Sequence, residues 1–187
     1  MSDGVHGAQQ QAPFPAPAKE FPISPPALNV IHLNGPINSG KSTVGAALAA
    51  LLPAARFIDG DDHDAPSHLP HTEQWELALA RITRLIGAAR DSYLVVAYPL
   101  DQEGYERILA ACERRSARLR VITLAPTLAA AQSDRGGRTL TEWERQRVVQ
   151  MYREGYASRP FSDWVLDTSR SDPASSAREI ARWLAAG

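Results

Sequence analysis

The chain has one cysteine, Cys112, in 187 residues. It can therefore form no internal disulfide and no multi-cysteine zinc site, and it suits a reducing compartment. Cys112 falls within the apolar stretch Ile108-Leu109-Ala110-Ala111-Cys112, where core packing is expected of it. No apolar run approaches the ~18 residues needed to cross a membrane. The formal net charge is −1, so the field of the whole molecule draws in neither nucleic acid nor an acidic membrane. The first residues show no basic-then-apolar leader pattern, and a cytoplasmic location is expected. An N-K-x-D guanine-reading pattern is missing. The apolar run YLVVAYPL (93–100) likewise does not close on aspartate.

What is present fits one globular domain. Hydrophobic residues make up 44% and charged residues 22%. Residues 1–26 hold six prolines with little apolar periodicity. Proline fixes φ and removes a donor, so this stretch is expected to be a disordered tail, followed by a single domain over 27–187. From Leu28 onward short apolar runs alternate with helical spacing. Strands are expected at Leu28–Leu33, Arg56–Asp59, Tyr93–Tyr98, Leu119–Leu124 and Asp163–Asp167. Helices are expected at 40–52, 72–90, 101–115, 127–133, 141–156 and 175–186. In the second of these Thr72 is the expected N-cap, and Trp75, Leu79, Ile82 and Ile86 the buried face. This alternation predicts an α/β fold, a mostly parallel five-stranded sheet with helices on both faces. Ligands bind such sheets at the carboxyl ends of the strands.

The short motifs fall at those ends. Gly35-Pro36-Ile37-Asn38-Ser39-Gly40-Lys41-Ser42 matches G-x-x-x-x-G-K-[ST], with a strand before it and a helix after it. In this P-loop pattern glycine lets main-chain N–H groups surround phosphate oxygens, and the helix adds its positive end. ATP is the expected cofactor. Gly35 to Ser39, Gly40 and Thr43 would form the cradle, Lys41 would reach the β- and γ-phosphates, and Ser42 would ligate Mg²⁺. The second strand ends in Asp59-Gly60-Asp61-Asp62. Asp59 is the expected metal-shell carboxylate, and Asp61 the group that takes the proton of an attacking hydroxyl.

With these residues in view, GKSTVGAALAALL…RFIDGDD resembles the small-molecule kinases of the shikimate kinase and gluconate kinase type, in the nucleoside-monophosphate-kinase-like fold. Adenylylsulfate kinases and chloramphenicol phosphotransferase are relatives of that group. The resemblance implies a three-layer P-loop NTPase fold, with Asp59 and Asp61 as its D-x-D. It also implies a lid at about 127–145, in which Arg135 and Arg138 flank Gly136-Gly137 and close over the phosphates. Thr168, Ser169 and Arg170 correspond to the loop that flanks adenine. The chain departs from the shikimate kinases in having Ala97-Tyr98-Pro99-Leu100 in place of a glycine triplet, and in lacking an arginine soon after D-x-D. It departs from the gluconate kinases at His63-Asp64-Ala65-Pro66. The acceptor is therefore expected to be neither shikimate nor gluconate. It is expected to be another small polar molecule bearing a hydroxyl, bound near Asp61, Asp62, His63, Tyr98 and Trp75.

Three other readings of the same residues compete. A nucleotide-binding regulator would bind ATP without transfer. A polynucleotide-end kinase would need a basic channel, and Arg114, Arg115, Arg118 and Arg120 are the residues to examine, although nucleic acid is not the expected partner. A metal-dependent hydrolase would use Asp61, Asp62, His63, Asp64, His68 and His71, whose spacing is irregular. His32, inside the first strand, is expected to be a satisfied core histidine. A monomer or homodimer is expected.

Overall fold

The computed structural model describes residues 27–62 and 69–186. The expectations for the 1–26 tail and for His63, Asp64, Pro66 and His68 lie outside the described residues. Five strands are present: β1 (Asn29–Asn34), β2 (Ala55–Asp59), β3 (Tyr93–Ala97), β4 (Arg118–Leu124) and β5 (Trp164–Leu166). The helices are α1 (Lys41–Leu51), α2 (His71–Ala88), α3 (Gln102–Arg114), α4 (Leu128–Gln132), α5 (Glu142–Arg153) and α6 (Pro173–Ala186). The sheet order is β2-β3-β1-β4-β5, and every pairing is parallel.

Alternation along the strands builds the three layers. In β1, Val30 faces the side covered by α2 and α3, where it joins Leu94, Val96, Ile82, Ile86 and Ile108. Ile31 and Leu33 face the opposite side, with Val44 and Leu48 of α1, Val95, and Ile180 of α6. Both faces of β1 are thus dry, as a central parallel strand requires. Each such aliphatic side chain contributes about 1.5–3 kcal/mol on full burial. Cys112 is in the first of these cores, and burial pushes its thiol up to about 12, which leaves it an inert packing group.

Two expectations for α2 need correction. Pro70, not Thr72, is its N-cap, and no side chain caps it. Pro70 supplies the bend, and its carbonyl accepts from the amides of Glu73 and Gln74. Leu79, Ile82 and Ile86 are buried as expected, but Trp75 is 49% exposed. Its ring lies 6.0 Å from the Arg147 guanidinium carbon of α5 and is not part of the core. His32 is fully buried, yet only half satisfied. Its Nε2 donates to the Tyr98 carbonyl at 2.8 Å, and Nδ1 has no partner. Burial drives its pKa down to about 4, so the imidazole is neutral at pH 7.

The strand order places the opening. From β1 the chain passes outward to β2 and returns to β3, then crosses β1 to reach β4. The crossovers diverge at the carboxyl end of β1, which creates a crevice there. Asn34, the last residue of β1, holds its walls together. Its Nδ2 donates to Thr123 Oγ1 of β4 at 2.9 Å, and its Oδ1 accepts the Leu100 amide beyond β3 at 2.9 Å.

Candidate functional site

The turn from β1 to α1 is forced by its glycines. Gly35 sits at φ 140°, and a Cβ there would lie 2.4 Å from the Leu124 carbonyl oxygen and 2.9 Å from Ser39 Oγ. No other residue fits that space. Asn38 also takes positive φ, at 61°, and uses its side chain to fasten the turn: Nδ2 donates to the carbonyls of Ala131 at 3.0 Å and Ser133 at 2.9 Å. On the other flank Thr168 Oγ1 donates to the Ser39 carbonyl at 2.9 Å. The turn is thereby tied both to α4 and to the loop after β5.

Helix α1 begins at this turn with no side-chain cap and no acidic residue in its first turn. By contrast, Asp101, Thr127 and Thr141 cap α3, α4 and α5. The first amides and the positive end of α1 thus face the crevice uncompensated. Lys41 adds a charge to them. Its Nζ donates to the Pro36 carbonyl at 2.8 Å, inside the turn. Burial lowers its pKa to about 8, even though Asp61 and Asp59 both pull it upward.

Strand β2 delivers those carboxylates. Asp59 Oδ1 accepts the Asp61 amide at 3.2 Å, and the Asp59 carbonyl accepts from Arg81 Nη1 at 3.2 Å. This small turn depends on Gly60, whose amide donates to the Ala97 carbonyl at 2.9 Å. A Cβ on Gly60 would lie 2.3 Å from Cδ2 of Tyr98 and 2.7 Å from its Cγ. Gly60→Ala is therefore expected to cost about 1–3 kcal/mol, because the Tyr98 ring or the acidic turn must move. Urea melts measure this, and an unchanged midpoint would show that the ring yields freely.

A single cavity of about 1450 Å³ unites these parts. Ile37 to Val44 line one part of it, together with Arg135, Thr168 and Ser176. Asp61, Trp75, Tyr98, Trp143, Met151 and Tyr156 line the other. Burial pushes the Tyr98 hydroxyl pKa up, and the charge of Asp61 adds to this. Gly35, Pro36, Asp59, Asp62, Ser169 and Arg170 do not line the cavity. Gly35 and Pro36 are themselves buried, Asp59 Oδ1 is engaged with the Asp61 amide, and Ser169 is engaged with Asp167. The basic group at Arg114, Arg115, Arg118 and Arg120 closes α3 and opens β4, at the opposite edge of the sheet from the cavity. Arg115 there donates to the Ala89 carbonyl, and Arg120 pairs with Asp163 at 3.7 Å.

Arg135 and Arg138 stand on the two arms of a tight hairpin. Arg138 N donates to Arg135 O at 3.0 Å, and both central residues, Gly136 and Gly137, have positive φ. Arg135 Nη2 donates to the Thr168 carbonyl, and its Nη1 is buried without a partner. Arg138 bonds Glu144, which also completes the capping box of α5 with Thr141. Both arginines line the cavity, and Arg138 lies close enough to Lys41 to depress its pKa.

Several cavity residues carried no sequence signal. Trp143, Arg147, Met151 and Tyr156 lie on or just after α5, whose amphipathic spacing reads equally well as ordinary core packing. Arg159 sits in a Ser-Arg-Pro turn with no period at all. Asn34 reads only as a strand end.

No family model and no curated protein matches the chain. Solved structures do match it, with probability 1.00. The APS kinase of Mycobacterium tuberculosis in complex with AMPPNP and APS is 17% identical, with a TM-score of 0.63 over 86% of this chain and 99% of its own. A gluconokinase from Sinorhizobium meliloti is 21% identical, with a TM-score of 0.62 over 87% and 93%. The tunicamycin resistance protein of Deinococcus radiodurans is 19% identical, with a TM-score of 0.56 over 83% and 95%. The fold is thus that of the P-loop kinases, an α/β fold with a parallel five-stranded sheet. No helix among the described residues is long and apolar enough to cross a membrane.

Proposed function

We propose that the protein is an ATP-dependent kinase that moves the γ-phosphoryl group to a hydroxyl of a small molecule. The observation that carries this reading is the meeting of three things in one cavity. These are the uncapped start of α1 with Lys41, the carboxylate of Asp61, and an aromatic-lined space large enough for a second ligand. The domain is residues 27–187, with the segment about 127–145 as its lid.

In this reading the amides from Ile37 to Thr43 receive the polyphosphate, and Lys41 covers the charge nearest the transferred group. The unpartnered Nη1 of Arg135 supplies a further donor there, and Arg138 joins it when it releases Glu144. Ser42 and Asp59 offer hard oxygen donors, a set that suits Mg²⁺. The metal would supply charge neutralisation along the phosphates. Asp61 orients the acceptor hydroxyl and takes its proton as the O–P bond forms, while ADP leaves with the electron pair of the broken bond. Asn38 and Thr168 act only through the turn that they hold in place.

Calorimetry with Mg²⁺-ATP, followed by ADP release against a panel of alcohols, tests this. Binding in the micromolar-to-millimolar range and acceptor-dependent ADP release are expected. Absence of nucleotide binding would end the proposal. Tight binding with no ADP release from any alcohol would favour the regulator.

A further inference from the structure

We propose that the acceptor has a flat apolar body and carries an oxyanion such as a carboxylate, which Arg159 holds in the aromatic part of the cavity. This rests on the kinase reading above and narrows its substrate class. The walls come from Trp75 and Leu79 of α2, Tyr98 after β3, Trp143 and Met151 of α5, and Tyr156 beyond it. Such walls suit a ring system rather than a polyhydroxylated chain, because aromatic faces gain contact area from flat partners and offer a sugar few hydrogen bonds.

The charges decide the sign. Aromatic faces also attract cations, but two of these faces already carry the chain's own. Arg147 lies 6.0 Å from the Trp75 ring centroid, and Arg159 lies 4.0 Å from that of Tyr156. Of the three arginines in this part, Arg107 pairs with Glu76 at 2.7 Å, and Arg147 with Glu154 at 2.9 Å. Arg159 pairs with no carboxylate among the described residues, and its Nε is buried without an acceptor. Asp101 also lines the cavity, and one of its oxygens accepts the Gly104 amide at 2.8 Å at the start of α3.

Arg159 is also held in position. Ser162 N donates to its carbonyl at 3.1 Å, and Ser162 Oγ lies 2.6 Å from Thr123 Oγ1 in β4. Phe161, two residues on, stacks on Tyr105 of α3 with centroids 4.4 Å apart. The Arg159 guanidinium carbon stands 4.0 Å from the Tyr156 ring centroid, and the guanidinium's N–H groups suit a planar two-oxygen partner, the geometry of a carboxylate.

Three matched probes test this on the full chain in Mg²⁺-AMPPNP, read by tryptophan fluorescence. They are 6-(hydroxymethyl)-2-naphthoate, its neutral carboxamide, and the corresponding 2-aminomethyl cation. The naphthoate is expected to bind about tenfold more tightly than the amide, with the cation weakest. Arg159→Gln should abolish the difference between naphthoate and amide, and Arg159→Lys should restore part of it. Equal binding of the three, preference for the cation, or an unchanged preference in Arg159→Gln overturns the inference. Failure of all three to bind while AMPPNP binds also overturns it and leaves the kinase reading standing. Failure of AMPPNP itself removes the kinase reading, and the inference with it. If Arg159→Gln melts too early to assay, the ranking of the three probes on the unaltered protein decides alone.

Discussion

Lys41→Ala is expected to lower kcat/KM for ATP-dependent transfer by about 10³-fold, the scale of losing one preorganised charge at a developing transition state. The melting temperature should hold or rise. The ammonium is desolvated enough that its pKa falls to about 8, so the folded state tolerates this charge rather than being held together by it. A loss of activity accompanied by an early melt would instead make Lys41 a structural residue. A proton signature accompanies the same side chain. Above about pH 8 the free protein has begun to lose the Lys41 proton, and a bound polyphosphate would restore it. Calorimetry at pH 8.5 in buffers of different ionisation enthalpy should therefore register proton uptake on ATP binding, and at pH 6.5 almost none. Uptake of equal size at both values would place the titrating group elsewhere.

Asp61→Asn is the second large effect. The amide keeps the shape and the backbone hydrogen bond to Asp59, but it cannot take a proton. We expect kcat to fall by about 10²–10⁴-fold, with ATP affinity changed by less than about threefold. Steady-state kinetics and calorimetry separate the two quantities. If nucleotide affinity fell and kcat did not, Asp61 would belong to the metal shell in place of Asp59. The positions differ in the same sense: Asp61 lines the cavity, while Asp59 does not and accepts the Asp61 amide.

Much of this arrangement was legible along the chain. A buried parallel strand must be apolar on both faces, so β1, β3 and β4 announce themselves as short runs. Caps such as Asp101 and Thr127 mark helix starts because a side-chain oxygen three residues before an orphan amide is a local geometry. The α1 turn is equally local, since its glycines, its lysine and its uncapped helix start lie within ten residues. Errors arose where burial depended on length in space. Helical spacing put Trp75 on the same face as Leu79 and Ile82, but nothing in the period says that Trp75 stays half-exposed while the other two are buried.

By itself, then, the sequence determined the layer architecture and the phosphate-sized turn, because both follow from interactions between near neighbours in the chain. Trp75 and Tyr98 were expected beside Asp61 from the sequence, but only the tertiary structure decided what joins them. Trp143, Tyr156 and Arg159 come from α5 and the turn after it, and they reach the cavity only when those elements pack. The pairing of Arg107 of α3 with Glu76 of α2, 31 residues away, is likewise a matter of distance in space, and no pattern of residue types along the chain encodes it.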